Sequence, residues 1–113
     1  MKVIAFGTTL VIAITSLSSC SGSIPNPTEA DAALASQRWS GTTVHNLMAG
    51  RKLYIERCGA CHSLSTPKQY SAAEWEQIVE KMKARALLNE EEKTLVIRFL
   101  ITLEKHQTLE KGY

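Results

Sequence analysis

Polarity along the chain separates one long apolar run, one polar stretch and three segments whose apolar positions recur at helical spacing. Val3 to Leu17 is apolar or small throughout. Ser21 to Ala30 (Ser-Gly-Ser-Ile-Pro-Asn-Pro-Thr-Glu-Ala) is rich in Ser, Pro, Gly and Asn, has no apolar period, and reads as a flexible tether. A short helical turn is expected through Ala32–Ala35, ahead of Trp39 as a packing residue and the breaker Ser40-Gly41. Thr43–Arg57 carries Val44, Leu47, Met48, Leu53 and Tyr54 at spacings that fit a helix. Ser71-Ala72-Ala73-Glu74 has the form of a capping box, and beyond it Trp75, Ile78, Val79 and Met82 fall at i, i+3, i+4 and i+7. Charged Glu76, Glu80, Lys81 and Lys83 take the other side of that helix. Asn89 suits the N-cap of a last helix, Glu90, Glu91 and Glu92 complement its positive end, and Leu95, Val96, Phe99, Leu100 and Leu103 form its apolar face. No strand pattern appears, so the pattern predicts an all-α domain.

The composition narrows this further. With 113 residues there is room for one core, and a domain of that size is marginal on its own apolar burial. Three cysteines are an odd number, so at least one needs its own explanation. Lys2 followed by the apolar run matches a secretory signal, and Leu17-Ser18-Ser19-Cys20 resembles the bacterial lipoprotein cleavage box. That resemblance implies a signal peptide over 1–19, diacylglyceryl on the Cys20 thiol, and a lipidated N-terminus with a flexible linker over 20–40. Competing readings are an uncleaved span, for which the run falls short of about 20 residues, and an ordinary signal peptide with an incidental cysteine. Loss of Lys2 with the signal would lower the formal charge from +2 to +1. Neither value points to nucleic acid or to electrostatic adhesion on a membrane, so attachment would come through the lipid.

The densest chemistry lies at Cys58-Gly59-Ala60-Cys61-His62. Two thiols separated by two residues, with an imidazole directly after the second, is the spacing of c-type haem attachment. On a tight turn, each thiol can add across one vinyl group of the porphyrin edge, and the histidine falls under the iron. A zinc site would need a second ligand pair at suitable spacing, and a thioredoxin-like motif would need a strand–helix–strand context; neither is present in the sequence.

With the helix bearing Gly50 and Tyr54 four residues apart, the motif makes residues 44–104 similar to class I monohaem cytochromes c. The resemblance implies a cytochrome c domain over 41–113, with three or so helices wrapped around one covalently bound haem c. Cys58 and Cys61 would be the thioether attachments and His62 the proximal ligand. Gly50 would let the helix entering the motif cross the last helix closely, with Tyr54 filling the crossing against Phe99 and Leu100. A proline carbonyl that orients the proximal imidazole would fall to Pro67. Met82 is the expected distal ligand, matching small family members with a Trp and a Met on the helix after the motif. His106 is its main rival; Met48 is expected in the core and His45 on the surface. Trp75, Tyr70 and Arg85 are candidate haem-wall or propionate contacts, beside packing for Trp75 and solvent exposure for Arg85.

The function implied is one-electron transfer outside the cytoplasm, on the periplasmic side of a membrane, by an electron-transfer protein and not an enzyme. Its partners would be a protein donor and acceptor, with no nucleic acid and no small-molecule substrate. Alternatives are a haem-based sensor or gas-binding module with a displaceable distal ligand, an enzyme such as a peroxidase, or a fixed subunit of a larger respiratory or photosynthetic complex.

Overall fold

The computed structural model describes residues 23–110 and 112; the apolar run and Cys20 lie outside them. Among the described residues there are four α-helices and no strand: α1 (Glu29–Ser36), α2 (Val44–Leu53), α3 (Ala72–Met82) and α4 (Glu90–Glu110). None of these helices is long and apolar enough to cross a membrane.

Helix starts follow local chemistry. Thr28, Thr43 and Ser71 each accept from the third residue of the helix they open, and Asp31, Asn46 and Glu74 return the bond to the cap backbone. Asn89 and Glu92 make the same reciprocal pair for α4, at 2.8 and 3.0 Å. A cap of this kind contributes about 1 kcal/mol, enough to fix where a short helix begins.

The organising contact is between α2 and α4. Leu47, Gly50 and Tyr54 form one buried stripe along α2 and its C-cap, of which Tyr54 packs with Val96, Phe99, Leu100 and Leu103. Gly50 sits so close to α4 that a Cβ there would lie 2.2 Å from the Leu95 carbonyl oxygen and 2.9 Å from Phe99 Cβ. The approach requires a residue without a side chain. Tyr54 continues the stripe and packs its ring against Phe99, with centroids 6.3 Å apart. Met48 lies one position off this stripe and is 41% exposed, so the expectation that it belongs to the core is corrected.

Two further departures concern the N-terminal side. Residues up to 40 do not form a linker throughout. Ala32 and Ala35 of α1 are buried with Leu47, small side chains that let α1 lie close to α2. Asp31, 1% exposed, accepts from the Thr28 backbone and hydroxyl at 2.7 Å and also pairs with His106 on α4. Upstream, Arg51 donates from Nε to the Pro25 carbonyl and from Nη2 to the Ile24 carbonyl, both at 2.9 Å. Ile24 packs on the main core and Pro27 is buried. The packed body therefore begins near Ile24.

The corner between α3 and α4 closes as a Schellman turn: Leu88 N–H donates to the Lys83 carbonyl at 3.1 Å and Leu87 N–H to that of Ala84 at 3.3 Å. Leu87 holds the left-handed position, φ 55°, where glycine is usual, at a cost of about 1 kcal/mol.

The Gly50 contact makes a signed prediction. Helix propensity alone expects Gly50→Ala to stabilise by about 1 kcal/mol. The clash with the Leu95 carbonyl expects a net loss of about 1–3 kcal/mol, read as a lower urea midpoint. A raised midpoint would show that α2 and α4 do not cross this tightly.

Candidate functional site

The α2 helix does not stop at Leu53 but widens into a π turn over Tyr54–Cys58, which carries the chain into the Cys58–His62 motif. The turn closes with Gly59 N–H donating to the Ile55 carbonyl at 3.2 Å. A Cβ at Gly59 would lie 2.5 Å from that oxygen. Gly59 is thus the residue that lets the two-residue spacer between the thiols turn so tightly.

Cys58 is half-buried, while Cys61 and His62 are exposed. Burial pushes the Cys58 thiol above its ordinary value, which keeps it as S–H at neutral pH. His62 Nδ1 lies 2.8 Å from the Ser63 carbonyl oxygen. A carbonyl can only accept, so Nδ1 carries the proton and Nε2 keeps a free lone pair. The carbonyl expected for this role was that of Pro67, which instead accepts from the Trp75 indole Nε1 at 2.7 Å.

Two contiguous cavities share Cys58, His62 and Met82 in their walls. The first, about 150 Å³, is completed by Arg57, Cys61, Arg85 and Ala86. The second, about 190 Å³, is walled by Tyr54, Ser65, Tyr70, Trp75, Ile78, Val79 and Leu88. Taken singly each is smaller than the about 300–1,000 Å³ of a typical small-molecule site, and the two adjoin at Cys58, His62 and Met82. The stripe Trp75–Ile78–Val79–Met82 of α3 therefore faces this space as well as the core.

Its floor is aromatic. Trp75, fully buried, meets Tyr70 edge-on at 5.0 Å and Tyr54 edge-on at 6.0 Å. Tyr54 donates its hydroxyl to the Ser65 carbonyl at 2.7 Å, and Trp75 bonds Pro67, so both polar tips are spent on the loop that follows His62. That loop is held in place by the core.

Of the residues the sequence singled out, Cys58, Cys61, His62, Met82, Trp75, Tyr70 and Arg85 all line one or both cavities. His106 does not; its ring is engaged by Asp31, at the α1–α4 contact. Its role as a rival ligand is therefore not supported by its position. His45 is exposed. Arg57 was not foreseen. It donates to the Leu87 carbonyl at 3.2 Å and lies 3.8 Å from Glu92, tying the residue before Cys58 to the corner after Met82. Nothing in the sequence marks it, although it directly precedes Cys58.

The donor set suits a c-type haem: two thiols on one tight turn, an imidazole with Nε2 free, a thioether on another helix, and apolar walls between them. Among the described residues no three His, Cys, Asp or Glu side chains gather around one point. Comparison with protein-family models, with curated proteins and with solved structures returns no match to this chain.

Burial, with smaller help from the neighbouring Cys58, pushes the Tyr54 phenol up to about 12. The unfolded phenol ionises near its ordinary value of about 10, so the unfolded chain loses its proton first. The contribution to stability is complete below pH 10 and declines as pH rises from about 10 to 12. Denaturation at stepped alkaline pH should show this slope in the wild type and lose that part of it in Tyr54→Phe; equal slopes would place the phenol in water.

Proposed function

We propose that this chain is a one-electron carrier of the class I cytochrome c type, made as an exported lipoprotein anchored through Cys20. One observation carries the reading: Cys58, His62 and Met82, drawn from two separate elements, line the same pair of apolar cavities. A motif that was only a spacing in the sequence thereby gains a second wall bearing a thioether.

Cys58 and Cys61 would each add S–H across one vinyl group of a haem, the proton going to the vinyl carbon and the sulfur forming the thioether. His62 would bind the iron through Nε2, held in orientation by its Nδ1–H bond to Ser63. Met82 would supply a thioether sulfur to the iron. The group supplies a one-electron couple when bound. Trp75, Ile78, Val79 and Leu88 line the cavity and would exclude water from the group, favouring its less charged reduced state and a raised potential. Tyr54 and Trp75 hold the 63–69 loop, so His62 need not move when charge changes. With an imidazole and a thioether both offered to the iron by the chain, the site would suit transfer between protein partners over catalysis.

Purified protein tests this in two steps. Haem should stay with the denatured chain in the wild type and be lost when both Cys58 and Cys61 are replaced by alanine. Oxidised wild type should show the weak long-wavelength band of an iron–thioether bond, absent in Met82→Ala, and its reduced form should not bind carbon monoxide. Carbon monoxide binding by the wild type would favour a gas-binding or sensor module instead.

A further inference from the structure

The polar segment after Cys20 has the composition of a free leash, yet the chain is fastened from its fourth residue onward. Arg51, on α2, grips two consecutive carbonyls, those of Ile24 and Pro25. Ile24 packs on the main core, Pro27 is buried, and Thr28 caps α1, which Asp31 in turn holds against His106 of α4. Only Cys20 to Ser23 precede this fastened stretch, and four residues reach at most about 14 Å even when fully extended. A linker running free from 20 to 40 would wander with a root-mean-square span of about 25 Å and leave the domain able to tumble.

We propose that the Arg51 clamp seats the domain directly on the bilayer in one orientation, with the face around Ser23 against the lipid headgroups. This rests on the reading of Cys20 as the lipid-bearing residue. Ser23 shares a shallow polar surface with Leu64, Thr66, Lys68, Gln69 and Gln107. A lysine with hydroxyl and amide groups, and no carboxylate, is the chemistry that pairs with phosphate and ester carbonyl oxygens. The surface includes the loop after His62, so the membrane side of the domain is the proximal side of the motif. Arg57, Cys61, Arg85 and Ala86, the rim of the other cavity, share no residue with it and stay open to a protein partner.

The test uses the full-length lipidated protein in vesicles of uncharged, zwitterionic phosphatidylcholine. Its lysines are acylated with a water-soluble active ester, and peptide mass spectrometry gives the ratio of Lys68 to Lys81. Lys81 lies in the groove between α3 and α4, which shares no residue with the Ser23 face. Compared with a variant lengthened by about ten Gly/Ser residues between Ser21 and Gly22, wild type should show a ratio several-fold lower. Arg51→Ala should move towards the lengthened value. Equal ratios in wild type and the lengthened variant, with diacylglyceryl found on Cys20, would overturn the seating while leaving the anchor intact. An Arg51→Ala ratio that stays at the wild-type value would overturn the clamp. A Cys20 without lipid would remove the anchor reading and the seating with it.

Discussion

Backbone touches backbone at Gly50, and most of the molecule is arranged by that contact. Because no side chain stands between α2 and the Leu95 carbonyl, the two helices approach until Phe99 meets α2 directly. Tyr54, one turn on, then lies under Trp75 and against Phe99, so the helix crossing and the cavity floor are one aromatic cluster. The π turn starts at the same tyrosine. The direction in which Cys58 and Cys61 leave the helix is set by the crossing, and moving α2 outward by the width of a methyl group would carry the motif with it.

The second wall depends on the corner after α3. Leu87 accepts a left-handed conformation and leaves its side chain 77% exposed, while its carbonyl and the fold of the turn meet Arg57. Met82 is thereby kept beside Cys58 by a bond from the residue that precedes the motif. Ion pairs nearby, Lys93 with Glu80 and Glu90, and Arg57 with Glu92, are partly exposed, so solvent screens them and they do little to hold the site. The site is held by apolar packing and by side chains that bond backbone carbonyls: Tyr54 to Ser65, Trp75 to Pro67, Arg57 to Leu87. Such bonds fix loops without placing a net charge pair in the cavity, which leaves the interior suited to a group whose own charge changes by one.

What could be read from the sequence were features with a local cause. Ser71 with Glu74 and Asn89 with Glu92 announce helix starts because both partners lie within one turn. The α3 stripe was legible from its period. Gly50 was legible only through the family resemblance, since a lone glycine in a helix does not reveal what approaches it. Arg51 with Ile24 and Pro25, Asp31 with His106, and Arg57 with Leu87 were not legible. Each joins a side chain to a group far along the chain, and position in the fold, not composition, decides the partner. Met48 was misread for a related reason: both it and Leu47 are apolar, and only the phase of the stripe through Gly50 and Tyr54 shows which one is buried.

The central claim is that the Cys58–His62 turn and Met82 close on a single iron. X-ray absorption at the iron edge, measured on the purified exported protein, tests it most directly. The account predicts one iron per chain with a first shell of nitrogen and a single sulfur, the sulfur lost in Met82→Ala. Absence of iron, or an iron shell without sulfur in the wild type, would contradict it.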